Sequence, residues 1–208
     1  AHGIMHGTVM SAYDVLWGVA EGNYGIITSA KAKGLGVSRQ CLVAMERSGR
    51  LMRLGHGVYQ VKHHVVGRND RYAASVAVAG EGAYLRGASV VQMLGLTPAS
   101  PPFVYLGTPR RVRRRLPKYC RLACNRPCEV VEYEGFEGIK CQRLVEAMRT
   151  ARADGAIGPA RLRDAAHVAN GKGLLTDAEC AEFARRPDGT RTKGGARRRK
   201  SKRQGRAS

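Results

Sequence analysis

The side chains best placed to do chemistry are Ser38, Arg39 and Gln40, which open the segment SRQCLVAMERSG. Arginine can donate two parallel hydrogen bonds to guanine and glutamine can pair bidentately with adenine, each good pair giving about 1–3 kcal/mol of discrimination between bases. Ser38 is a helix N-cap residue or a phosphate ligand, Gly49 stands where a C-cap glycine belongs, and Leu42, Val43 and Met45 supply the apolar side. Arg39 and Gln40 could equally be solvated helix positions. The apolar residues opposite them, with Val43 open to sharing between the two faces, favour the base-reading role.

A hairpin follows at once. Residues 51–54 and 58–61 are short apolar runs separated by Gly55, His56 and Gly57, which is turn chemistry. Arg50, Arg53 and His56 lie at its start and tip, where phosphate or minor-groove contacts would be made; Arg47, at the end of the preceding helix, joins them. Thr28 and Lys31 precede the helix and are candidate backbone contacts on the same side.

A second basic tract, PRRVRRRLPK, contains Arg110, Arg111, Arg113, Arg114, Arg115 and Lys118 with no acid among them. So much like charge repels itself, whereas contact with a polyanion releases counterions and makes binding salt-dependent. Sheet edges also carry such charges to block aggregation, and that alternative stays open. The formal net charge of +20 points the same way, because a polyanion is the simplest partner for such a field.

Other chemistries find little support. No nucleophile with a base, paired acids or phosphate loop appears, and His63, His64 and His167 lack carboxylate or cysteine partners at a recognisable spacing. An enzyme is therefore not expected, nor a cofactor. Cys120, Cys124 and Cys128 fall short of the four ligands zinc needs, and no metal is expected. The six cysteines should be free thiols. No apolar run approaches the ~20 residues that cross a bilayer, so no membrane partner and a cytoplasmic location are expected.

These residues need elements to position them. Ser11 caps a first helix that places Ala12, Val15, Leu16 and Val19 on one face before Gly22. Ile26 and Ile27 lead to Thr28, the cap of a short helix through Lys33. Gly34, Leu35 and Gly36 then turn the chain into the Ser38 helix. Helix, turn, helix and hairpin make a winged helix-turn-helix. After a polar linker, a helix over 69–79 with Tyr72, Ala73, Val76 and Ala77 on one side and a helix over 88–94 are expected. Four short strands, 103–106, 119–123, 129–133 and 138–142, precede helices over 143–153, 159–169 and 176–185, the last opened by Thr176 and Glu179 as a capping box. The chain is therefore expected to be α+β: a leader (1–10), a winged helix-turn-helix (11–62), a linker (63–70), a mixed domain (71–185) and a disordered basic tail (186–208).

Three stretches, GIITSAKAKGLGVSRQCLVAMERSGRLMRLGHGVYQV, AYLRGASVVQMLGL and IKCQRLVEAM, resemble the AbiEi-type antitoxins of bacterial type IV toxin-antitoxin systems. Ser89, Gly95 and Leu96 match the second of the family's patterns. Leu94 stands where a histidine is common and Glu146 where an aspartate is common, so roles tied to those positions do not transfer. The resemblance implies a DNA-binding antitoxin that represses its own operon and counters a nucleotidyltransferase-like toxin, without a tight complex being required; the expected target is operator repeats in double-stranded DNA, and whether the protein dimerises on them stays open. The residues alone leave two alternatives open: an RNA-binding or ribosome-associated protein, and a transcription regulator with no toxin partner.

Overall fold

The computed structural model describes residues 10–97, 102–124 and 126–184. The expected tail, all but the last residue of the expected leader, and Pro98 and Pro101 lie outside them. Ser11 accepts a hydrogen bond from the Asp14 amide while the Asp14 carboxylate takes the Ser11 amide, so α1 (Ala12–Glu21) opens on a reciprocal capping box. Leu16 and Ala20 are its fully buried residues; Val15 and Val19 are half-buried beside them.

β1 (Ile26–Thr28), α2 (Ser29–Gly34), α3 (Arg39–Arg47), β2 (Leu51–Gly55) and β3 (Val58–Val61) complete the first unit. Thr28 and Ser38 cap the two short helices, each hydroxyl accepting an amide hydrogen bond at 3.2 Å, from Lys31 and Cys41. The expected two-stranded wing has a third strand. β1 pairs antiparallel with β3, giving the order β1-β3-β2. Ile26–Thr28 is too short to show an alternating pattern, and its last residue also caps α2.

Alternation along this sheet sends neighbouring residues to opposite faces. Ile27, Tyr59 and Val61 join Leu16, Leu42 and Met45 in the core of the winged unit. Ile26 and Val58 face the other way, into a second core. Their cover is α4 (Asp70–Ala79), which packs against β1 and β2 and also against the strands of the second sheet. One apolar side, with Tyr72 and Ala77, was expected for this helix. Instead Ala73, Ser75, Val76, Val78 and Ala79 are all buried and Tyr72 and Ala77 are half-buried, because the helix has a neighbour on both sides.

The second sheet contains β4 (Tyr84–Leu85), β5 (Val104–Thr108), β6 (Cys120–Cys124), β7 (Val130–Val131) and β8 (Cys141–Gln142), in the order β6-β5-β4-β8-β7. The four expected strands are present, two of them shortened to two residues, and β4 is an addition. The fully buried α5 (Ala88–Met93) follows β4. β5 and β6 pair in parallel from Val104↔Cys120 to Thr108↔Cys124. A parallel pair requires a long crossover, usually helical. Here residues 109–119 make it with no helix, which leaves the arginine tract as an exposed loop.

α6 (Leu144–Ala153), α7 (Pro159–Gly171) and α8 (Asp177–Ala184) close the fold. The capping box of α8 is formed: the Thr176 amide donates to Glu179 at 2.9 Å and the Glu179 amide to the Thr176 hydroxyl at 3.3 Å. Arg149 and Arg152 of α6 reach Glu182, and Arg143 reaches Glu179. All six cysteines are free.

The passage from β3 to α4 carries a polar clasp. His64, expected to have no carboxylate partner, has one in Asp70: His64 Nε2 lies 2.7 Å from Asp70 Oδ2, with side chains 17% and 9% exposed. Gln60 Nε2 donates to the Tyr24 carbonyl at 3.3 Å and stands 3.5 Å from the same carboxylate oxygen. The clasp thus joins β3, the turn before β1 and the first turn of α4. Gly25 has φ +69, and a Cβ there would lie 2.4 Å from His64 Cγ, so glycine is required.

Two predictions arise. His64→Ala leaves a buried carboxylate with only the longer contact to Gln60 and should cost about 1–3 kcal/mol in urea unfolding; an unchanged midpoint would show the clasp to be idle. Hydrogen bonding by the Thr176 amide holds Glu179, and bonding by Arg149 holds Glu182, below the ordinary carboxylate range. Their contribution is therefore complete above that range and lost as pH falls through the lowered values. Amide exchange over 177–184 should accelerate only there, not between neutrality and pH 5.

Candidate nucleic-acid interface

Ser38 uses its hydroxyl to hold the first turn of α3, which leaves Arg39 and Gln40 exposed in that turn. Leu42 and Met45 alone form the fully buried side of the helix, at 1% and 8% exposure. Val43, expected to be shared between the apolar side and the outer face, is half-buried and turns outward. It lines an open depression of about 870 Å³ with Arg39, Gln40, Ala44, Arg47 and Ser48. Residues 39, 43 and 47 follow helical i, i+4 spacing on one stripe. Such a face offers hydrogen-bond donors flanking an apolar side chain, and the latter suits a thymine methyl.

The wing is seated by a glycine. At Gly55 a Cβ would lie 2.7 Å from Val78 Cγ1, so α4 packs directly on the wing backbone. The β2–β3 register shifts between Arg53 and Gly55, and Arg53 Nε donates back to the Gly55 carbonyl at 3.3 Å. His56 is exposed at the tip. Arg50 does not join this group: its guanidinium lies 5.7 Å from the Tyr13 ring centroid, against α1. Lys31 is exposed on α2, and the Thr28 hydroxyl is engaged as a cap.

Between the wing and the second sheet lies a cleft of about 770 Å³, whose walls include Thr28, Arg39, Arg53 and His56 on one side and Arg114 and Lys140 on the other. Arg114 lies over Gly80, where φ is +102 and a Cβ would come within 2.9 Å of the guanidinium carbon. A further depression of about 580 Å³ shares His56, Glu81 and Arg114 with the cleft and adds Arg110, Arg111 and Arg113. Arg115 and Lys118 are exposed on the same crossover but line neither. Lys140 was missed in the sequence, since a single lysine between Ile139 and Cys141 belongs to no basic run.

The charges decide what such a surface can hold. Exposed like charges repel by about 1 kcal/mol at 4 Å in water, and salt screens them beyond about 8 Å. The fold can bear that repulsion. A duplex presents one negative charge per ~1.7 Å of axis and turns it into attraction.

Elsewhere the chemistry is quieter. Burial pushes the Cys141 thiol up to about 12 and also raises Cys120, so neither is a thiolate at neutral pH. Cys180 Sγ lies 3.8 Å from His167 Nδ1, a contact the sequence spacing did not reveal. Ser89 is wholly buried and accepts the Tyr105 amide at 2.8 Å. Leu94 is buried in the second core, and Glu146 pairs with Arg149.

Gly55→Ala tests how the wing is held. The added methyl should push α4 from the wing and cost about 1–3 kcal/mol in urea unfolding, with weaker binding to duplex DNA. Wild-type stability and affinity would mean that Val78 moves aside freely.

A family model described as a transcriptional regulator, AbiEi antitoxin, matches residues 19–62. No curated protein matches the chain. Over the winged unit, from the end of α1 through β3, the chain is similar to antitoxin-type transcriptional regulators.

Proposed function

We propose that the protein is a DNA-binding antitoxin that represses its own operon and counters a nucleotidyltransferase-like toxin. The observation that carries the DNA-binding part is the outer face of α3: Arg39 and Gln40 stand exposed in a turn already capped by Ser38, with Val43 and Arg47 on the same stripe. The likeness to antitoxin-type regulators over residues 19–62 supports the regulatory role. The toxin as partner rests on the resemblance of the segments around Ser89 and Glu146 to AbiEi-type antitoxins.

In this reading α3 enters the major groove with Arg39 and Gln40 on base edges. Arg53 and His56 of the wing, and Lys31 of α2, take phosphates beside the groove. Arg47 continues the α3 stripe, and Arg50, turned to Tyr13 of α1, lies apart from these contacts. Two copies occupy the operator repeats as a dimer. Relief of toxicity belongs to the second unit, α4 through α8, and requires no stable complex with the toxin.

Arg39→Ala tests the assignment. Binding to the protein's own promoter should weaken by about 1–3 kcal/mol, roughly 5- to 150-fold, with little change on random duplex. Relief of toxicity in cells should persist. A wild-type protein that binds promoter and random duplex equally at moderate salt would overturn the specific-repressor reading, and equal loss of both activities in a folded Arg39→Ala protein would overturn the separation of roles.

A further inference from the structure

Two arginine–aromatic stacks stand side by side where β5 and β6, the edge pair of the second sheet, begin. The Arg121 guanidinium carbon lies 3.6 Å from the centroid of the Phe103 ring, which is van der Waals contact. That of Arg71, in the first turn of α4, lies 4.6 Å from the Tyr119 ring. Phe103 and Tyr119 are neighbours across the two strands, since Val104 pairs with Cys120 and its amide donates to the Tyr119 carbonyl. Tyr105, paired with Arg121, shares the face of Phe103 by strand alternation. Both arginines are exposed, while the three rings are half-buried.

Each guanidinium is held in place by the protein. Arg71 Nη2 donates to the Pro102 carbonyl at 2.6 Å and Arg121 Nη1 to the Lys118 carbonyl at 2.8 Å. Neither arginine forms a salt bridge among the described residues. A ring beneath the plane and a carbonyl at one nitrogen fix its orientation, and its other face and remaining N–H groups are left for a ligand. Residues 102–124 contain no acid, so an anion meets no opposing charge along this edge.

We infer that this edge of the second sheet binds unpaired nucleotides of a single-stranded nucleic acid, whose bases stack on the Arg71 and Arg121 planes and whose phosphates take the spare N–H groups. Arginine planes serve unpaired bases as aromatic rings do, and the stack of ring, guanidinium and base continues the cation–π contact already present. A duplex is unsuited, because its base faces are already stacked inside it. An acidic peptide would use the charge and gain nothing from the planes. RNA and single-stranded DNA offer the same faces and phosphates. The surface serves whether or not α3 reads a groove.

Affinity of the full chain is measured for an adenine strand of about 12 nucleotides and for an abasic strand with the same phosphates, each as RNA and as DNA. The base-bearing strand should bind tighter, by about 5- to 150-fold for each base stacked. Phosphate contacts elsewhere on the chain are common to both strands and cancel. Arg71→Lys with Arg121→Lys keeps the charge and removes the planes, so this preference should disappear. The sugar that shows the larger preference names the occupant.

Equal affinity of the wild-type protein for base-bearing and abasic strands would overturn the proposal without recourse to any variant. A double variant that keeps the full preference would overturn it too. Polyglutamate that competes as well as the unlabelled base-bearing strand would mark a peptide site instead. None of these outcomes touches the reading of α3, because neither strand is a duplex.

Discussion

Val78 meets the backbone of the wing at Gly55, where even a methyl group would stand 2.7 Å from it, and this contact sets how the two sheets sit. α4 has no solvent side to spare: Val76 and Val78 are 8% and 2% exposed, and burying a side chain of that size contributes about 1.5–3 kcal/mol. With α4 so placed, Gly80 at its end carries the chain toward β4, and Glu81 and Arg114 come to rest beside the wing tip. The His64–Asp70 pair anchors the other end of the same helix. Move α4 and the cleft has only one wall.

Much of the winged unit was legible because its signals are local. Ser11, Thr28 and Ser38 cap the helices they precede, and Gly49, at φ +72, follows α3 as a terminating glycine. Thr176 and Glu179 announced α8 in the same way. The helices and most strands of the second unit could be read from periodicity and glycine punctuation. Two short strands could not: Ile26–Thr28 and Tyr84–Leu85 exist because a neighbouring strand already lies there to pair with, and a sequence window holds no record of that neighbour.

The surface was legible in its residue types but not in its assembly. Arg39, Arg53, His56 and the crossover arginines stand out as basic or polar residues near turn chemistry. Their convergence depends on tertiary packing, as does the separation of Arg50, which turns to Tyr13. Val43, read as shared between the two faces, is half-buried at the edge of the apolar stripe and lines the outer face. Lys140 carried no local signal at all, and His64 concealed its partner six residues away, across a turn into the next helix.

Because Ile26 and Val58 belong to the same core as the second sheet, the strand that bears one face of the winged unit is also a floor for the other. Two units that share a face cannot lose it independently. A ligand that favours the folded form of either therefore stabilises both by mass action, and any coupling between ligands at the two ends is reciprocal. Whatever binds at one end is then thermodynamically linked to what binds at the other through one helix.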